Sequence, residues 1–528
     1  MSEALAEAAP QTLEDPQLKK AEPCVIVIFG ASGDLTRRKL MPALFNLMCR
    51  GSMTSFHIVG IGRDSLSEEE FRRRMREGAS ASDEMGEFTD EEWNCFAERI
   101  HYNRGDLNTS ELFDSLAQHL ERIATEHGGS RNHLFYCATP PSLAPAIVNG
   151  LGNSGLAKQE QGWSRIVVEK PFGSDLESAQ ALNAEIAKVF SEEQVYRIDH
   201  YLGKDTVQNI LVFRFGNTMF EPIWNRNYVD YVEITASESI GIGSRAGYYE
   251  QAGALRDMVA NHMLQLLSLT AMEPPVAFEA DAVREQKVQV LRSIHRLTPD
   301  EVRVRTVRGQ YGPGIVNRDP VGGYRQEKGV RGDSTTETYA AVQFYVSNWR
   351  WADVPFYLRA GKRLARPLTE IAVHLKRTPQ ALFARTPSDQ IEPNVIILRI
   401  QPNEAISVTF GAKRPGVDMR TGTVHLDFCY ETGFGARSPA AYQTLLLDVM
   451  EGDATLFTRR DEVEAQWRLI TPILETWSKG TPELAFYAAG SEGPAAADEL
   501  VAGNGHRWRR ITDVWDSCVE PAARKQAG

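Results

Sequence analysis

The densest group of chemically capable side chains lies in the eight residues from Arg197 to Lys204, which read R-I-D-H-Y-L-G-K. They combine cations, an acid and an imidazole beside the start of a predicted helix. Such a set suits a phosphate monoester, because cationic donors and a helix N-terminus both bind phosphate oxygens. A polar linker between two domains is the alternative interpretation of the same residues.

His262 is the next residue that could do chemistry, as a general base. Its neighbours at helical spacing are apolar, namely Leu255, Met258, Val259, Met263, Leu266 and Leu267. A single histidine on such a face is more often a buried core residue, and the nearby Asp257 and Asn261 do not alter that. A carboxylate from elsewhere in the chain would change the interpretation, because it would fix the imidazole tautomer and raise its basicity.

A glycine-containing turn ends the first predicted strand and opens the first predicted helix; its residues are Gly30, Ala31, Ser32, Gly33, Asp34 and Leu35. Glycines there permit a tight turn and let backbone N–H groups approach a pyrophosphate at the positive end of the helix dipole. The G-x-x-G spacing alone is weak, and an ordinary strand-to-helix turn is about as common. Its place as the first βα turn of an alternating series favours a dinucleotide site.

The second predicted strand ends just before Arg63 and Asp64, where a dinucleotide-binding fold contacts the cofactor ribose. An arginine there binds the 2′-phosphate of NADP, whereas an acid accepts a hydrogen bond from the free ribose hydroxyl of NAD. Arg63 therefore predicts NADP, and Asp64 leaves NAD open as a secondary acceptor. A solvated arginine at a strand end is the alternative.

Lys170 follows a buried predicted strand, in the stretch Glu169–Gly173 that reads E-K-P-F-G. A lysine at the carboxyl edge of a parallel sheet lies where ligands bind, and Pro171 can fix a turn there with a cis or a trans bond. The same residues alone could form a turn and nothing more.

An α/β scaffold that positions these residues is predicted over roughly the first 200 residues, because short β-branched runs alternate there with helical segments. The predicted strands are Val25–Phe29, Phe56–Ile61, Leu134–Ala138 and Ile166–Val168. The predicted helices are Leu35–Cys49, Glu68–Arg76, Glu111–Thr125, Leu143–Leu151 and Leu176–Phe190. Right-handed crossovers then give a doubly wound, Rossmann-like parallel sheet.

Past Asp199 the pattern of apolar residues changes, and it predicts an α+β domain with a large, antiparallel sheet. Helices are predicted at Thr206–Arg214, Ala254–Ala271 and Asp281–Leu291, and strands at Tyr231–Ala236 and Tyr339–Val346. The stretch Gly309–Gly332 is rich in Gly, Pro, Arg and Asp, which indicates a long surface loop. The expected division is a disordered lead at 1–22, a dinucleotide-binding domain at 23–200, a substrate-binding and oligomerisation domain at 201–515, and a tail at 516–528.

Composition excludes several classes of protein. The chain has 528 residues with 58 Lys and Arg against 70 Asp and Glu, and the net charge of −12 disfavours nucleic acid as the main ligand. No apolar run approaches the roughly 18 residues that a membrane span requires. The six cysteines show no C-x-x-C spacing and are interpreted as reduced, mostly buried thiols of a cytoplasmic protein.

Taken together and in order, these motifs resemble those of the glucose-6-phosphate dehydrogenase family, with R-I-D-H-Y-L-G-K as the most specific of them. Further similar stretches, Pro222–Arg226, Ser334–Thr336, Arg359–Lys362 and Gln401–Glu404, extend the resemblance from about Cys24 to Thr476. It implies an N-terminal dinucleotide-binding domain, and a second domain with helices and a large mixed, mostly antiparallel sheet. It also implies a homodimer or homotetramer.

The resemblance also implies roles for single residues. It makes His262 the general base and Asp199 the residue that orients it. The 6-phosphate is held by His200, Tyr201 and Lys204. Sugar hydroxyls or the reacting end are contacted by Lys170, Glu238, Asp257 and Lys362, with Gln401 at a further substrate position, and Lys170 also lies beside the cofactor. The implied reaction oxidises C1 of glucose 6-phosphate, with NADP as acceptor and no metal.

Two departures from the family pattern bear on these roles. Members often carry a further basic residue about five positions after the lysine matched by Lys362, whereas Pro367 stands there and Arg366 is one position short. Too few basic residues match for a second, structural NADP to be predicted. Two other functions remain open: a non-catalytic NADP-binding regulator, and a related hexose-phosphate or glucose dehydrogenase.

Overall fold

The computed structural model describes residues 18–126, 129–378, 392–417, 420–435, 438–512 and 518. The chain divides into two compact units. The first comprises the residues up to Val167 together with Tyr442–Asp453, and the second comprises Val168–Ala441 and the residues from Ala454 onward. The domain bounds expected from the sequence, 23–200 and 201–515, stay a prediction.

The first sheet is a six-stranded, Rossmann-like sheet. Its strands are β1 Cys24–Phe29, β2 Phe56–Gly62, β3 Ile100–Arg104, β4 His133–Cys137, β5 Ser164–Val168 and β6 Val195–Arg197. Their order is β3-β2-β1-β4-β5-β6, and the pairs of β1 with β2, β1 with β4 and β2 with β3 are parallel. Every residue of β1 is buried, as in a strand covered on both faces. The predicted doubly wound class is confirmed.

The first unit includes most of a helix at Ala441–Glu451, and its other helices lie between its strands along the chain. They are α1 Met41–Cys49, preceded by a π-helical turn at Thr36–Leu40, then α2 Glu68–Ser80, α3 Asp90–Ala97, α4 Ser110–Glu126 and α5 Ala144–Asn153. The strands β3 and β6 of the first sheet and the helix α3 were not expected. Polar residues make β3 inconspicuous in the sequence, because it is a short edge strand that is only partly buried.

The second unit is built on a nine-stranded mixed sheet. Its strands are β7 Val229–Ser237, β8 Thr306–Gly312, β11 Tyr339–Tyr345, β12 Pro355–Gly361, β13 Leu368–Leu375, β14 Val395–Gln401, β15 Ala405–Lys413, β16 Thr421–Cys429 and β17 Ala485–Ala488, and a separate hairpin contains β9 Gly314–Val316 and β10 Asp319–Val321. The order is β16-β15-β14-β13-β7-β12-β11-β8-β17. Only the β7–β12 and β8–β17 pairs are parallel among the described strands of this sheet. The expected mixed, mostly antiparallel sheet is confirmed.

The remaining helices are α6 Leu176–Ala187, α7 Asp205–Phe215, α8 Ala246–Ala254, α9 Leu264–Ala271, α10 Ala280–Ser293, α11 Pro299–Arg305, α12 Tyr430–Phe434, α13 Ala441–Glu451, α14 Arg460–Ser478 and α15 Ala495–Ala502. A π-helical segment, Leu255–Met263, joins α8 to α9. Within the described residues, no helix combines the length and the apolar character needed to cross a bilayer.

The expectation of a long surface loop at Gly309–Gly332 is wrong. Its first residues continue β8 as far as Gly312, and β9 and β10 form a hairpin inside it. The two residues of the hairpin turn, Asn317 and Arg318, have φ values of 51° and 72°. Tight hairpins require positive φ at such positions. An arginine rarely adopts that conformation, so the sequence gives little sign of the turn.

The cysteine expectation is wrong for two of the six residues. Cys429 at the end of β16 forms a disulfide with Cys518, 89 residues away. Cys24 and Cys137 are buried thiols, whereas Cys49 and Cys95 are exposed. No local spacing reveals a pair so far apart. Of the expected lead and tail, residues 1–17 and all of 516–528 except Cys518 lie outside the described residues.

Candidate active site

The helical stretch that carries His262 is not a regular α-helix. Leu255–Met263 is π-helical, so its backbone hydrogen bonds join residues five apart. In an α-helix, with 3.6 residues per turn, residues five apart point about 140° away from each other. Here Asp257 and His262, which are five apart, both contact Lys170. The π-helical geometry therefore brings an acid and an imidazole to one place.

His262 contacts a carboxylate from a distant part of the chain. Its Nδ1 lies 2.5 Å from Oδ1 of Asp199, and both side chains are buried. The same Oδ1 accepts a hydrogen bond from the backbone N–H of Tyr201 at 3.0 Å. In the neutral imidazole, the Asp199 contact holds the proton on Nδ1, so Nε2 carries the lone pair and acts as an acceptor. The structure thus supplies the partner that the helical pattern of the sequence lacks.

Lys170 contacts the opposite side of the same imidazole. Its Nζ lies 2.6 Å from Nε2 of His262, 3.2 Å from the carbonyl oxygen of Asp257 and 3.5 Å from Oδ1 of Asp257. The residue lies just beyond β5, and the Lys170–Pro171 peptide bond is cis. Asp199, His262 and Lys170 therefore form one continuous line of polar contacts.

Burial and charge set the protonation of this line. Burial by itself raises the pKa of Asp199, but the neighbouring His262, then His200 and Lys170, outweigh it and hold the pKa well below the usual range. Burial lowers the pKa of His262, and the Asp199 carboxylate only partly offsets that effect. At neutral pH the pair is therefore a carboxylate and a neutral imidazole. Burial likewise lowers the pKa of His200 well below its ordinary value.

The residues after Asp199 pack around the imidazole. The ring of Tyr201 stacks on that of His262 with centroids 4.2 Å apart, and the ring of His200 meets it edge-on at 4.6 Å. Nζ of Lys204 lies 4.9 Å from the centroid of Tyr201 and donates a hydrogen bond to Oε1 of Gln401. The octapeptide is thus folded against His262 and the end of β14, not extended as a linker.

A second ion pair lies beside Asp257. Lys362, just after β12, donates to the carboxylate of Glu238, just after β7. Burial raises the pKa of Asp257, but Lys170 and then Lys362 outweigh it and lower the pKa to about 2. Oδ1 of Asp257 also accepts a hydrogen bond from the hydroxyl of Tyr248 at 3.1 Å. Sequence reasoning missed Tyr248, because nothing in its spacing marks a contact with Asp257.

Eight of the ten sequence-predicted residues of the second unit are therefore joined by contacts, and the other two, Glu238 and Lys362, form an ion pair whose lysine lowers the pKa of Asp257. Asp199, His200, Tyr201 and Lys204 come from the octapeptide, and Asp257 and His262 from the π-helical segment. Lys170, Glu238, Lys362 and Gln401 lie at or just beyond the carboxyl ends of β5, β7, β12 and β14 respectively. This contact network can hold an anion and accept a proton at Nε2 of His262. The assignment of each role stays a prediction.

Part of this network also has the composition of a metal site. Asp199, His200 and His262 each offer a ligand atom within 4.8 Å of the others. The ammonium of Lys170, however, lies 2.6 Å from Nε2 of His262. A cation there would be repelled by that charge at close range, which disfavours a resident metal.

The first unit contains the predicted dinucleotide turn. Gly30 follows β1 with a φ of 86°, and a Cβ at this position would lie 2.7 Å from the carbonyl oxygen of Ala138. The backbone N–H groups of Gly30 and Ala31 both donate to the carbonyl of Ile61 at 3.0 Å, and that of Gly33 donates to the carbonyl of Gly30 at 2.9 Å. The turn follows β1, which is the neighbour of β4 in the sheet. The strand order reverses between these two strands, and such a switch point is where doubly wound sheets bind nucleotides.

Arg63 lies directly beyond β2 and is exposed. Its carbonyl oxygen accepts a hydrogen bond from Nε of Arg104, the last residue of the neighbouring strand β3, at 3.3 Å. The backbone carbonyl of Asp64 accepts a hydrogen bond from the hydroxyl of Tyr102 at 2.9 Å. The side chain of Arg63 is thus free to meet solvent at the strand end, as a ligand of a ribose phosphate must be.

Two family models match successive parts of the chain. The family model described as the NAD binding domain of glucose-6-phosphate dehydrogenase matches residues 27–209, and that of the C-terminal domain matches residues 211–509. The chain is 47% identical over 495 residues to glucose-6-phosphate 1-dehydrogenase of Aggregatibacter actinomycetemcomitans, covering 93% of this chain and 98% of the relative. It is 44% identical over 501 residues to the Chlamydia muridarum enzyme of the same name, covering 94% and 98%.

Solved structures give the same relationship. A glucose-6-phosphate dehydrogenase in complex with its substrate glucose-6-phosphate superimposes with a TM-score of 0.85 at 35% identity, covering 93% of this chain and 99% of that chain. The glucose-6-phosphate 1-dehydrogenase of Mycobacterium avium superimposes with a TM-score of 0.78 at 37% identity, with the same coverage. The likeness therefore extends across both units.

Proposed function

The chain belongs to the glucose-6-phosphate dehydrogenase family, and from that premise we propose how its side chains carry out the family reaction. It is an oxidoreductase that oxidises C1 of glucose 6-phosphate to the 1,5-lactone, the first step of the oxidative pentose phosphate pathway. A nicotinamide cofactor, when bound, accepts the hydride from C1. The protein must hold the sugar phosphate, orient C1 and remove the proton from the C1 hydroxyl.

His262 removes that proton through Nε2. The observation that carries this assignment is the line from Asp199 through His262 to Lys170, with contacts of 2.5 Å and 2.6 Å. Asp199 fixes the tautomer and stabilises the imidazolium that forms when the proton arrives. Because burial lowers the pKa of His262, the imidazole is already in its basic form at neutral pH.

Lys170, Asp257, Glu238 and Lys362 orient the sugar. The ammonium of Lys170 lies against Nε2 of His262, so a C1 hydroxyl that approaches the base also comes within reach of this donor. The carboxylates of Asp257 and Glu238 accept hydrogen bonds from sugar hydroxyls, and Lys362 donates one. Fixing the pyranose at several points lowers the entropic cost of reaching the transition state.

His200, Tyr201, Lys204 and Gln401 hold the 6-phosphate. Binding of a phosphate dianion favours the charged form of His200, which burial otherwise keeps neutral. Phosphate binding remote from C1 then supplies energy that positions the reacting carbon. His200→Ala and Lys204→Ala should raise KM for glucose 6-phosphate, while the exposed-lysine control Lys188→Ala should not. Wild-type KM in both site variants would place the phosphate elsewhere.

NADP is the proposed cofactor; the turn Gly30–Leu35 and Arg63 are its proposed binding residues in the first unit, and Lys170 is a further proposed binding residue. The guanidinium of Arg63 matches a 2′-phosphate bidentately, and that phosphate is the chemical difference between NADP and NAD. NAD serves as a secondary acceptor. No metal is proposed, because the neutral imidazole of His262 can itself take the proton.

A homodimer or homotetramer in the cytoplasm is the proposed state. The end strand β16 of the large sheet exposes apolar side chains, among them Leu426 and Phe428 with 66% and 37% of their surface accessible. A long edge strand of this kind favours association with another chain, here a second copy. Leu426→Glu should lower the molar mass measured by light scattering. An unchanged mass would place the interface elsewhere.

Absorbance of reduced nicotinamide tests the central claim. Wild-type protein is mixed with glucose 6-phosphate and NADP, with glucose 6-phosphate and NAD, and with free glucose and NADP. We expect the highest kcat/KM with the first mixture and the lowest with free glucose. No turnover in any mixture, together with tight NADP binding, would favour a non-catalytic regulator; turnover of another hexose phosphate above glucose 6-phosphate would favour a related dehydrogenase.

A further inference from the structure

The break between α8 and the π-helical segment is held by a residue from another part of the chain. Gly253, the last residue but one of α8, has φ 63° and ψ 177°, so the helix is interrupted there and a new helical turn starts at Ala254 and Leu255. The first backbone N–H groups of such a turn have no partner within the helix. Two of them donate to Glu337: Ala254 N–H to its carbonyl oxygen at 3.0 Å and Leu255 N–H to its Oε1 at 3.1 Å.

Gly253 and Glu337 fit each other closely. A Cβ on residue 253 would lie 2.2 Å from Oε1 and 2.5 Å from Cδ of Glu337. The carboxylate therefore occupies the space that glycine leaves open. Glu337 is buried, which raises the pKa of its carboxyl group, and this group lies at the positive end of the segment's backbone dipoles. This arrangement fixes both the position and the rotation of the helical turn that follows.

The same junction also holds the opposite wall of the site. The next residue, Thr338, accepts a hydrogen bond at its carbonyl from the backbone N–H of Lys362 at 2.9 Å. Its hydroxyl pairs with that of Tyr487 at 2.9 Å, and Tyr487 in turn donates to the carbonyl of Lys362 at 2.7 Å. Adjacent residues therefore tie the segment that carries Asp257 to the strand end that carries Lys362.

We propose that Glu337 is a positioning residue of the oxidation reaction. Its carboxylate sets the rotation of the π-helical segment, so that Asp257 and His262 both face Lys170. Rotation by a fraction of a turn would separate the imidazole from Asp199 or from Lys170, since each contact is shorter than 3 Å. The inference rests on the proposed role of His262 and adds a residue that touches neither substrate nor cofactor.

Three variants and the wild type test this role by steady-state kinetics and thermal unfolding. Glu337→Ala removes the acceptor, Glu337→Gln keeps the Oε1 acceptor without the charge, and Glu301→Ala removes a comparable cap at the start of α11. We expect Glu337→Ala to lower kcat by about 10- to 100-fold, the range that small misplacement of reacting groups produces. KM for glucose 6-phosphate should change less than about threefold, and Glu337→Gln should regain most of kcat. Glu301→Ala should lower Tm with kcat unchanged.

Two results would overturn the proposal. In one, Glu337→Ala keeps wild-type kcat with a loss of Tm like that of Glu301→Ala, which is a structural role only. In the other, Glu337→Gln loses as much kcat as Glu337→Ala, so that the acceptor is not what acts. If Glu337→Ala does not fold, Glu337→Gln and Gly253→Ala are measured in its place. A folded Gly253→Ala protein with wild-type kcat would also contradict the proposed role of Glu337. A wild-type protein inactive on glucose 6-phosphate would instead refute the proposed function.

Discussion

The dinucleotide turn of the first unit and the His262 network of the second are built in opposite ways. The turn is six consecutive residues, Gly30 to Leu35, and its shape comes from backbone hydrogen bonds and one positive φ. The network draws side chains from segments as distant as Lys170 and Gln401, and its contacts join charged and polar side chains that are buried or half-buried. A local turn tolerates changes that spare its backbone. A distributed network depends on every element that delivers a side chain.

The largest effect should come from breaking the network at its centre. His262→Asn keeps polarity and approximate size but cannot take the proton, so kcat should fall by about 10² to 10⁴. Binding of both ligands should largely survive, as should the dinucleotide turn. Kinetics and ligand titrations of this variant are compared with His295→Asn, an exposed histidine paired with Glu301. A folded His262→Asn enzyme with near-normal kcat would return His262 to the hydrophobic core.

The next effect concerns the cofactor side alone. Arg63→Ala should weaken NADP use by about 1.5 to 3 kcal/mol, or roughly 10- to 150-fold in kcat/KM, because a charge-assisted hydrogen bond to the 2′-phosphate is lost. NAD use and KM for glucose 6-phosphate should stay nearly unchanged. Arg73→Ala, on the exposed face of α2, is the matched control. Equal losses with NADP and NAD would exclude Arg63 as the residue that selects the cofactor.

A backbone change in the turn should have a smaller effect. Gly30→Ala forces an L-residue to a φ of 86° and places Cβ 2.7 Å from the carbonyl oxygen of Ala138. The strain of a left-handed residue is about 1 to 2 kcal/mol. KM for NADP should therefore rise and Tm should fall, with kcat reduced far less than in His262→Asn. Gly155→Ala is the control, since it has a φ of 75° and open space around its Cβ; equal KM changes in both variants would contradict a role for Gly30 in binding.

The smallest effect is the dependence on pH. The basic form of His262 is the active one, and burial lowers its pKa below the ordinary value of about 6.5. The profile of kcat/KM should therefore be flat from about pH 6.5 to 8 and decline only below that range, by about tenfold per unit. Asp199→Asn should move the acid limb lower still, because the carboxylate raises the pKa. An acid limb above pH 7 would mean that a different group titrates.

Sequence reasoning proposed residues for both sites, but it gave a local physical reason for the residues of only one site, the dinucleotide turn. Gly30 and Arg63 were assigned from their places after predicted strands, because strand ends and turns are local features. His262 could not be assigned from its helix, where an apolar α-helical face predicts a core residue. The resemblance to a family supplied its role. The structure supplied the contact with Asp199 and the π-helical turn that brings Asp257 to the same side.

The sequence by itself determined the doubly wound first sheet, the acidic character of the chain, the order of its motifs and the candidate residues. These follow from short-range periodicity and side-chain chemistry. The family resemblance implied that Asp199 orients His262, and the tertiary structure shows the contact across 63 residues. Only the tertiary structure decided that Cys429 pairs with Cys518 and that Glu337 binds the backbone at the break at Gly253. Such contacts carry no local signal, because residues far apart in the chain are brought together by sheet topology and burial. That is why the chemistry of this site could be listed from the sequence but assembled only in the fold.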